Sequence, residues 1–268
     1  MIQSKKLSEY KKNLKLSSNQ KQILVGLLLG DGHLETQNNG RTFRLLIEQS
    51  LVHADYCDYL YSIFSNWTLT PPKIYTRKNG LKSKKFKTVS HPSFRFYGFQ
   101  FYETKSYKKR KKLPKLITRW LTAQSIAYWF MDDGSWKSKT SYGIILNTQN
   151  FYLKEVRILC EILKNKWDLN CWPRKQKNKY YNKIYYQIYI SGSCCSKFVQ
   201  LIYPYLIDSM LNKLPPPYLK KLREHSCLKG NGGLQRFPQT GRKSVVECKG
   251  KRKLDCKTYK STRGESRP

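Results

Sequence analysis

Two aspartates end two similar apolar segments of the chain. Asp31 follows LVGLLLG and Asp133 follows IAYWFMD, and each is followed by a glycine. If both segments are helices, the small residues Gly26, Gly30 and Ala127 would let their backbones approach closely and bring the two carboxylates to one end of the pair. Unpartnered carboxylates repel each other. A divalent cation with oxygen ligands relieves that repulsion, so the pattern predicts a shared Mg²⁺ or Mn²⁺ site.

A Lys-Leu-Pro tripeptide follows each aspartate at a similar distance along the chain. Its lysines, Lys112 and Lys213, are predicted to support the reaction beside the carboxylates. Lys111 stays an alternative to Lys112, because only the Lys-Leu-Pro repeat favours Lys112. A strand-like run also follows each aspartate, and Glu48, Gln49 and Gln149 end these runs. They could hold waters of the metal site, and they could equally cap turns at the strand ends.

A single Asp-Gly after an apolar helix is usually only a helix end followed by a turn. Here the apolar segment, the strand-like run, a second helical stretch and Lys-Leu-Pro recur in the same order in both halves. The repetition favours a metal site over two coincidental turns.

In each half, one basic, aromatic segment follows the second helical stretch. Residues 73–95 contain eight Lys and Arg, residues 172–190 contain five, and neither segment contains an acid. Solvated edge strands protected by lysine would explain one such segment. Two at equivalent positions indicate paired surfaces that neutralise nucleic-acid phosphates. The predicted DNA-binding residues are Lys73, Arg77, Lys78, Lys82, Lys84, Lys85, Lys87, Arg95, Arg174, Lys175, Lys177, Lys179 and Lys183.

The composition sets the class of partner. The 268 residues include 52 Lys and Arg against 17 Asp and Glu, a net charge of +35 that requires a polyanion. A hydrophobic fraction of 39% supplies a core. No apolar run approaches the ~20 residues of a membrane helix, and the start lacks the apolar region of a secretory signal. We therefore expect a soluble, non-secreted protein with no membrane partner. The eight cysteines show no zinc-site spacing and are predicted to be reduced.

The two halves of the repeat predict two similar domains. Each half is predicted to contain a helix, two strands, a helix, two strands and a helix. The predicted organisation is a basic N-terminal segment (1–19), a first domain (20–113), a linker (114–122), a second domain (123–225) and a basic, disordered tail (226–268).

The two aspartate-ending segments align end to end with the signature of the LAGLIDADG homing endonucleases, and the chain resembles the single-chain members that carry two motifs. The resemblance implies an α+β fold of two pseudo-symmetric αββαββα domains, each with a four-stranded antiparallel sheet that forms half of a DNA-binding saddle. In this family the last Asp of each motif binds metal together with the carbonyl of the preceding residue. These residues are Asp31 with Gly30 and Asp133 with Asp132. Tyr128 departs from the signature, which has a small residue there.

The resemblance implies a monomeric, Mg²⁺-dependent endonuclease that cuts both strands of a long asymmetric DNA site and leaves 3′ overhangs. Lys112 and Lys213 would polarise the attacking water or stabilise charge at the scissile phosphates. Cleavage of an intron-lacking allele would make an intron mobile. Two alternatives stay open, an intron RNA maturase and a transcriptional DNA-binding module. The few alanines and many lysines and tyrosines suggest an organellar gene, mitochondrial or alternatively chloroplast.

Overall fold

The computed structural model describes residues 2–77, 79–103, 110–138, 141–178 and 182–218. Two of the predicted DNA-binding residues, Lys78 and Lys179, and the predicted tail 226–268 lie outside the described residues. In the part of the chain that is described, no helix is long and apolar enough to cross a membrane.

The helices and strands alternate as the repeat predicts. The helices are α1 (Ile2–Lys12), α2 (Ser18–Leu29), α3 (Ala54–Ile63), α4 (Arg95–Phe101), α5 (Ile117–Trp120), α6 (Ala123–Asp133), α7 (Leu153–Trp167) and α8 (Cys195–Ile202). The strands are β1 (His33–Glu35), β2 (Arg44–Ser50), β3 (Lys73–Thr76), β4 (Lys82–Lys87), β5 (Gly134–Ser138), β6 (Ser141–Asn147), β7 (Cys171–Asn178) and β8 (Lys183–Ile190).

Each half forms one four-stranded antiparallel sheet. The strand orders are β1-β2-β4-β3 in the first half and β5-β6-β8-β7 in the second. With α2, α3 and α4 in the first half and α6, α7 and α8 in the second, each half has the αββαββα order. The predicted fold class is therefore confirmed. The predicted N-terminal segment contains α1, and the predicted linker contains α5.

The two motif helices begin at well-defined caps. Ser17 accepts a hydrogen bond from the amide of Gln20 at 3.1 Å, and Thr122 accepts one from the amide of Ser125 at 3.2 Å. In both cases the side chain of the third helical residue, Gln20 or Ser125, accepts a hydrogen bond from the backbone amide of the cap residue, which completes a capping box. Both helices are apolar over most of their surface, so they are stable only when packed inside the protein.

The close approach of α2 and α6 depends on glycine. A β-carbon added at Gly26 would lie 2.4 Å from the carbonyl oxygen of Ser125, and one at Gly30 would lie 2.5 Å from Cβ of Asp132. The predicted side-by-side packing is therefore correct. The glycines that allow it lie in α2 and directly after it. Tyr128 of α6 is buried at this contact, with its hydroxyl 3.1 Å from the hydroxyl of Tyr59 in α3. A large residue fits there because Gly26 has no side chain, since a β-carbon at Gly26 would lie 2.8 Å from Cβ of Tyr128.

Candidate active site

Where α2 and α6 end, three aspartates lie close enough for their charges to interact: Asp31, Asp132 and Asp133. The structure brings Asp31 and Asp133 together as predicted, and the side chain of Asp132 in α6 accepts a hydrogen bond from the amide of Asp31. Burial and then the negative charge of Asp31 raise the pKa of Asp133 to about 7. Burial, Asp31 and Asp133 together raise the pKa of Asp132 well above its usual range. The charges of Lys111 and Lys213 lower the pKa of Asp133 and so oppose this shift without cancelling it.

Two lysines contact the carbonyl groups at the ends of the motif helices. The ammonium group of Lys111 donates to the carbonyl oxygen of Gly30 at 2.5 Å. That of Lys213 donates to the carbonyl oxygens of Met131 and, at 2.9 Å, Asp132. Cations are favoured there because the helix dipole is negative at its C-terminus. Burial lowers the pKa of both lysines, while the nearby aspartates oppose that shift.

The geometry corrects one predicted residue, because Lys111 reaches the site and Lys112 does not. Lys111 pairs with Tyr102 in a short antiparallel bridge. Adjacent residues of extended backbone point to opposite sides, so Lys112 points away. Its charge acts on Glu103 instead, where it adds to the larger effect of Arg110 in lowering the pKa of that carboxyl. In the first half, the lysine that reaches the site is therefore the residue before the Lys-Leu-Pro tripeptide and not the lysine within it.

The predicted strand-end residues have different surroundings. Gln49 donates to Asp132 Oδ1 at 3.4 Å, so it reaches the site. Glu48 accepts hydrogen bonds from Arg77 at 2.9 Å and Ser83 at 2.7 Å. Gln149 lies in the turn after β6 and donates to Asn147 at 3.1 Å.

Strand register identifies a residue that the sequence comparison missed. His33 and Ser135 follow the two Asp-Gly pairs, and they lie opposite Leu46 and Ile145 respectively. Counting onward from those partners, Asn147 is the counterpart of Glu48, and Gln149 is not the counterpart of Gln49. Asn147 donates to the carbonyl oxygen of Asp133 at 2.9 Å. The antiparallel register identifies Asn147 as the equivalent residue. The sequence runs that end in Gln49 and Gln149 suggested a different alignment of the two halves.

His53 is a second residue that sequence reasoning did not select. It lies just before α3, close enough to Lys213 and Asp31 for their charges to act on its imidazole. Burial lowers the pKa of His53, Lys213 lowers it further, and Asp31 opposes them.

The donor set of the site fits a hard divalent cation held by few protein side chains. Within the described ranges, no three His, Cys, Asp or Glu side chains are grouped to hold a metal ion. Mg²⁺ commonly takes only one or two carboxylates, with waters and substrate phosphates as its other ligands. Asp31 and Asp133 would supply these two carboxylates. Their charges repel each other, and a divalent cation would relieve that repulsion.

Each sheet has one face on the core and one open face. Phe86 of β4 is buried, so its neighbours Lys85 and Lys87 point to the open face. In the second half Ile188 is buried opposite Pro173, which places Arg174 on the open face. Contacts between lysines and aromatic rings support these assignments, with Lys85 Nζ 3.8 Å from the centre of the Tyr75 ring. The predicted basic residues of the open faces are Lys73, Arg77, Lys85, Lys87, Arg174 and Lys183.

Five predicted DNA-binding residues lie elsewhere, because side chains alternate along a strand. Lys84 points toward the helices and pairs with Asp58 of α3 at 2.5 Å. Lys82 shares that face. Lys175 and Lys177 lie opposite Tyr186 and Ile184, so they are on the same side of their sheet as the core. The fifth, Arg95, begins α4 beyond the hairpin.

The model of the LAGLIDADG DNA endonuclease family matches residues 21–198. The chain belongs to this family. It is 34% identical over 220 residues to "Probable intron-encoded endonuclease 1" of Wickerhamomyces canadensis, covering 79% of this chain and 90% of that protein. It is 30% identical over 209 residues to "Cytochrome b mRNA maturase bI2" of Saccharomyces cerevisiae, covering 74% of this chain and 48% of that protein.

A solved structure of the family has the same fold. The homing endonuclease I-WcaI bound to its DNA recognition sequence matches with a TM-score of 0.68 and 30% identity. The match covers 78% of this chain and 91% of that chain. In this LAGLIDADG chain the carboxylate cluster therefore lies in a fold that one relative uses to bind DNA.

Proposed function

We propose that this chain is a homing endonuclease that cleaves both strands of a long asymmetric DNA target, such as an intron-lacking allele. The observation that carries the proposal is the meeting of Asp31 and Asp133 at the junction of two basic sheets. Two carboxylates related by the repeat match two scissile phosphates on antiparallel strands. The relative solved with its DNA recognition sequence supports the same substrate class.

The residues of the site divide the chemistry among them. Asp31 and Asp133 would hold Mg²⁺ or Mn²⁺, which supplies charge neutralisation at the phosphate and acidifies the attacking water. Lys111 and Lys213, held at the helix ends, would stabilise the charge that develops on the phosphates. Asn147 and Gln49 fix groups around the aspartates. The basic open faces would neutralise the DNA backbone and set its register.

Several finer properties belong to this proposal. Both motifs lie in one chain, so a monomer would contain a complete site for each strand. Cleavage across the minor groove would leave 3′ overhangs, as the family resemblance implies. The chain would act in the organelle that encodes it, a mitochondrion or a chloroplast.

The test uses purified full-length protein and a plasmid carrying the joined exons that flank its gene. With Mg²⁺, we expect linear plasmid with both ends at one position and 3′ overhangs, as read by sequencing the ends. An equal plasmid with the intron inserted at the exon junction is the control and should stay uncut. Failure to linearise the first plasmid with either Mg²⁺ or Mn²⁺ would contradict the proposal.

A second candidate function is RNA maturation, which the similarity to the cytochrome b maturase favours. The basic open faces would then bind the folded intron, and the carboxylates would have no necessary role. A splicing assay with the intron transcript distinguishes the two. A maturase accelerates splicing equally well after Asp31→Asn and Asp133→Asn, whereas DNA cleavage requires both acids.

The two faces of each sheet predict different salt dependences of DNA binding. Replacing Lys73, Lys85 and Lys87 with Gln should flatten the slope of log Kd against log salt by about 0.9 for each phosphate that is no longer neutralised. The matched control replaces Lys82, Lys175 and Lys177, which removes the same charge from the other faces. Fluorescence anisotropy over a salt series measures both slopes, and equal slopes for the two triple variants would refute the assignment of faces.

A further inference from the structure

Asp132 is an acid that the repeat does not require. The equivalent position in the first motif is Gly30, so only the second motif places a carboxyl side chain next to its last aspartate. The family resemblance gives a role to the carbonyl group of Asp132. It gives none to the side chain.

The first motif helix ends earlier than the second. α2 ends at Leu29, before Asp31, whereas α6 continues through Asp133. In a continuing α2 the amide of Asp31 would donate to the carbonyl of Leu27. That carbonyl instead accepts from Gly32 at 2.8 Å. The amide of Asp31 therefore has no helical partner, and a donor of this kind at a helix end takes a side chain or water as its partner.

The side chain of Asp132 accepts a hydrogen bond from this amide. Its Oδ2 atom accepts from the backbone nitrogen of Asp31 at 3.0 Å, and its Oδ1 atom accepts from Gln49 at 3.4 Å. The approach is possible because Gly30 has no side chain, since a β-carbon there would lie 2.6 Å from Oδ2 of Asp132. Both oxygens of the carboxyl group are thus directed at the first half of the molecule.

We propose that Asp132 is a positioning residue that holds the backbone of Asp31 from across the interface between the two motif helices. The inference rests on the proposed function only for its consequence in cleavage. Asp133 has no such need because its amide lies within α6. Loss of the Asp132 side chain should therefore loosen one of the two aspartates and slow cleavage of one DNA strand more than the other.

The first test measures hydrogen exchange of the Asp31 amide by NMR in metal-free, DNA-free protein. Exchange should be slow in the unmodified protein and in Asp132→Asn, whose amide oxygen still accepts a hydrogen bond. It should be faster by about tenfold or more in Asp132→Ala. Fast exchange in the folded, unmodified protein would overturn the proposal, so the test stands even if Asp132→Ala does not fold. This measurement does not depend on nuclease activity.

The second test follows the two strands of a DNA target labelled separately, in single-turnover reactions. Asp132→Ala should change the ratio of the two strand-cleavage rates by about tenfold and accumulate nicked DNA, while Asp132→Asn should restore the ratio. Tyr128→Phe is the control, because it removes a hydrogen bond between α6 and Tyr59 of α3 that does not involve Asp31. An unchanged ratio in Asp132→Ala, with Asp31 exchange also unchanged, would overturn the assignment. Absence of cleavage in the unmodified protein would instead contradict the proposed function.

Discussion

Replacing Asp31 or Asp133 with Asn is expected to reduce double-strand cleavage by about a thousandfold or more, because several kcal/mol of transition-state stabilisation depend on the cation that these carboxylates would hold. DNA affinity should stay within about tenfold, since contacts of the open faces with phosphate persist. Single-turnover cleavage and anisotropy on the same target measure the two effects. A variant that cleaves normally would show that these aspartates only end two helices.

Folding provides the control for this pair of variants. The pKa of Asp133 is raised from 3.8 to about 7, so the metal-free protein loses stability as the pH rises through that window and the carboxyl group ionises in the folded state. Asp133→Asn removes that penalty. Its melting temperature at pH 8, measured without metal, should be equal to or higher than that of the unmodified protein. A lower melting temperature would indicate that misfolding causes the loss of cleavage.

Lys111→Met is expected to slow cleavage by about a hundredfold, the scale for losing one preorganised charge at a reacting phosphate. Lys112→Met is the matched control, since it removes the same charge one residue away. Lys111 contacts the carbonyl oxygen of Gly30 at the carboxylate cluster, whereas Lys112 acts on Glu103. Lys112→Met should therefore stay within about threefold of the unmodified enzyme.

The measurement is the single-turnover rate at saturating enzyme, which separates chemistry from DNA binding. A larger effect for Lys112→Met than for Lys111→Met would return the supporting role to the residue that the Lys-Leu-Pro repeat selects. Equal, small effects would remove both lysines from the chemistry of the first half. Melting temperatures of both variants exclude unfolding as the cause.

The sequence predicted features that depend on local pattern. Apolar segments ended by Asp-Gly predicted two helices with acidic ends, and both helices are present. The glycine at position 26 predicted their close packing, because only a residue without a side chain fits against Ser125. Repetition of the landmarks predicted two similar domains, and the two sheets have equivalent strand orders.

Comparison of the two halves of the sequence misplaced residues whose role depends on which side of the strand their side chains point to. Lys111 and Lys112 are neighbours of identical chemistry, and extended backbone sends their side chains to opposite sides. Lys84 and Lys85 are separated in the same way, one paired with Asp58 and the other on the open face. A shift of one residue in a strand moves a side chain to the other face, so composition alone could not separate these pairs.

The sequence by itself predicted the order of helices and strands, the two acids and the basic character of the surfaces, because each arises from residue type and short-range periodicity. The resemblance of the two motifs to the LAGLIDADG signature implied the α+β fold class. Tertiary structure alone decided which lysine reaches the acids, that Asn147 holds Asp133 through its carbonyl, and that Asp132 takes the amide of Asp31. Most of these contacts join residues far apart in the chain, across packed helices and paired strands. They depend on where the first motif helix ends and on strand register, which only the assembled core establishes.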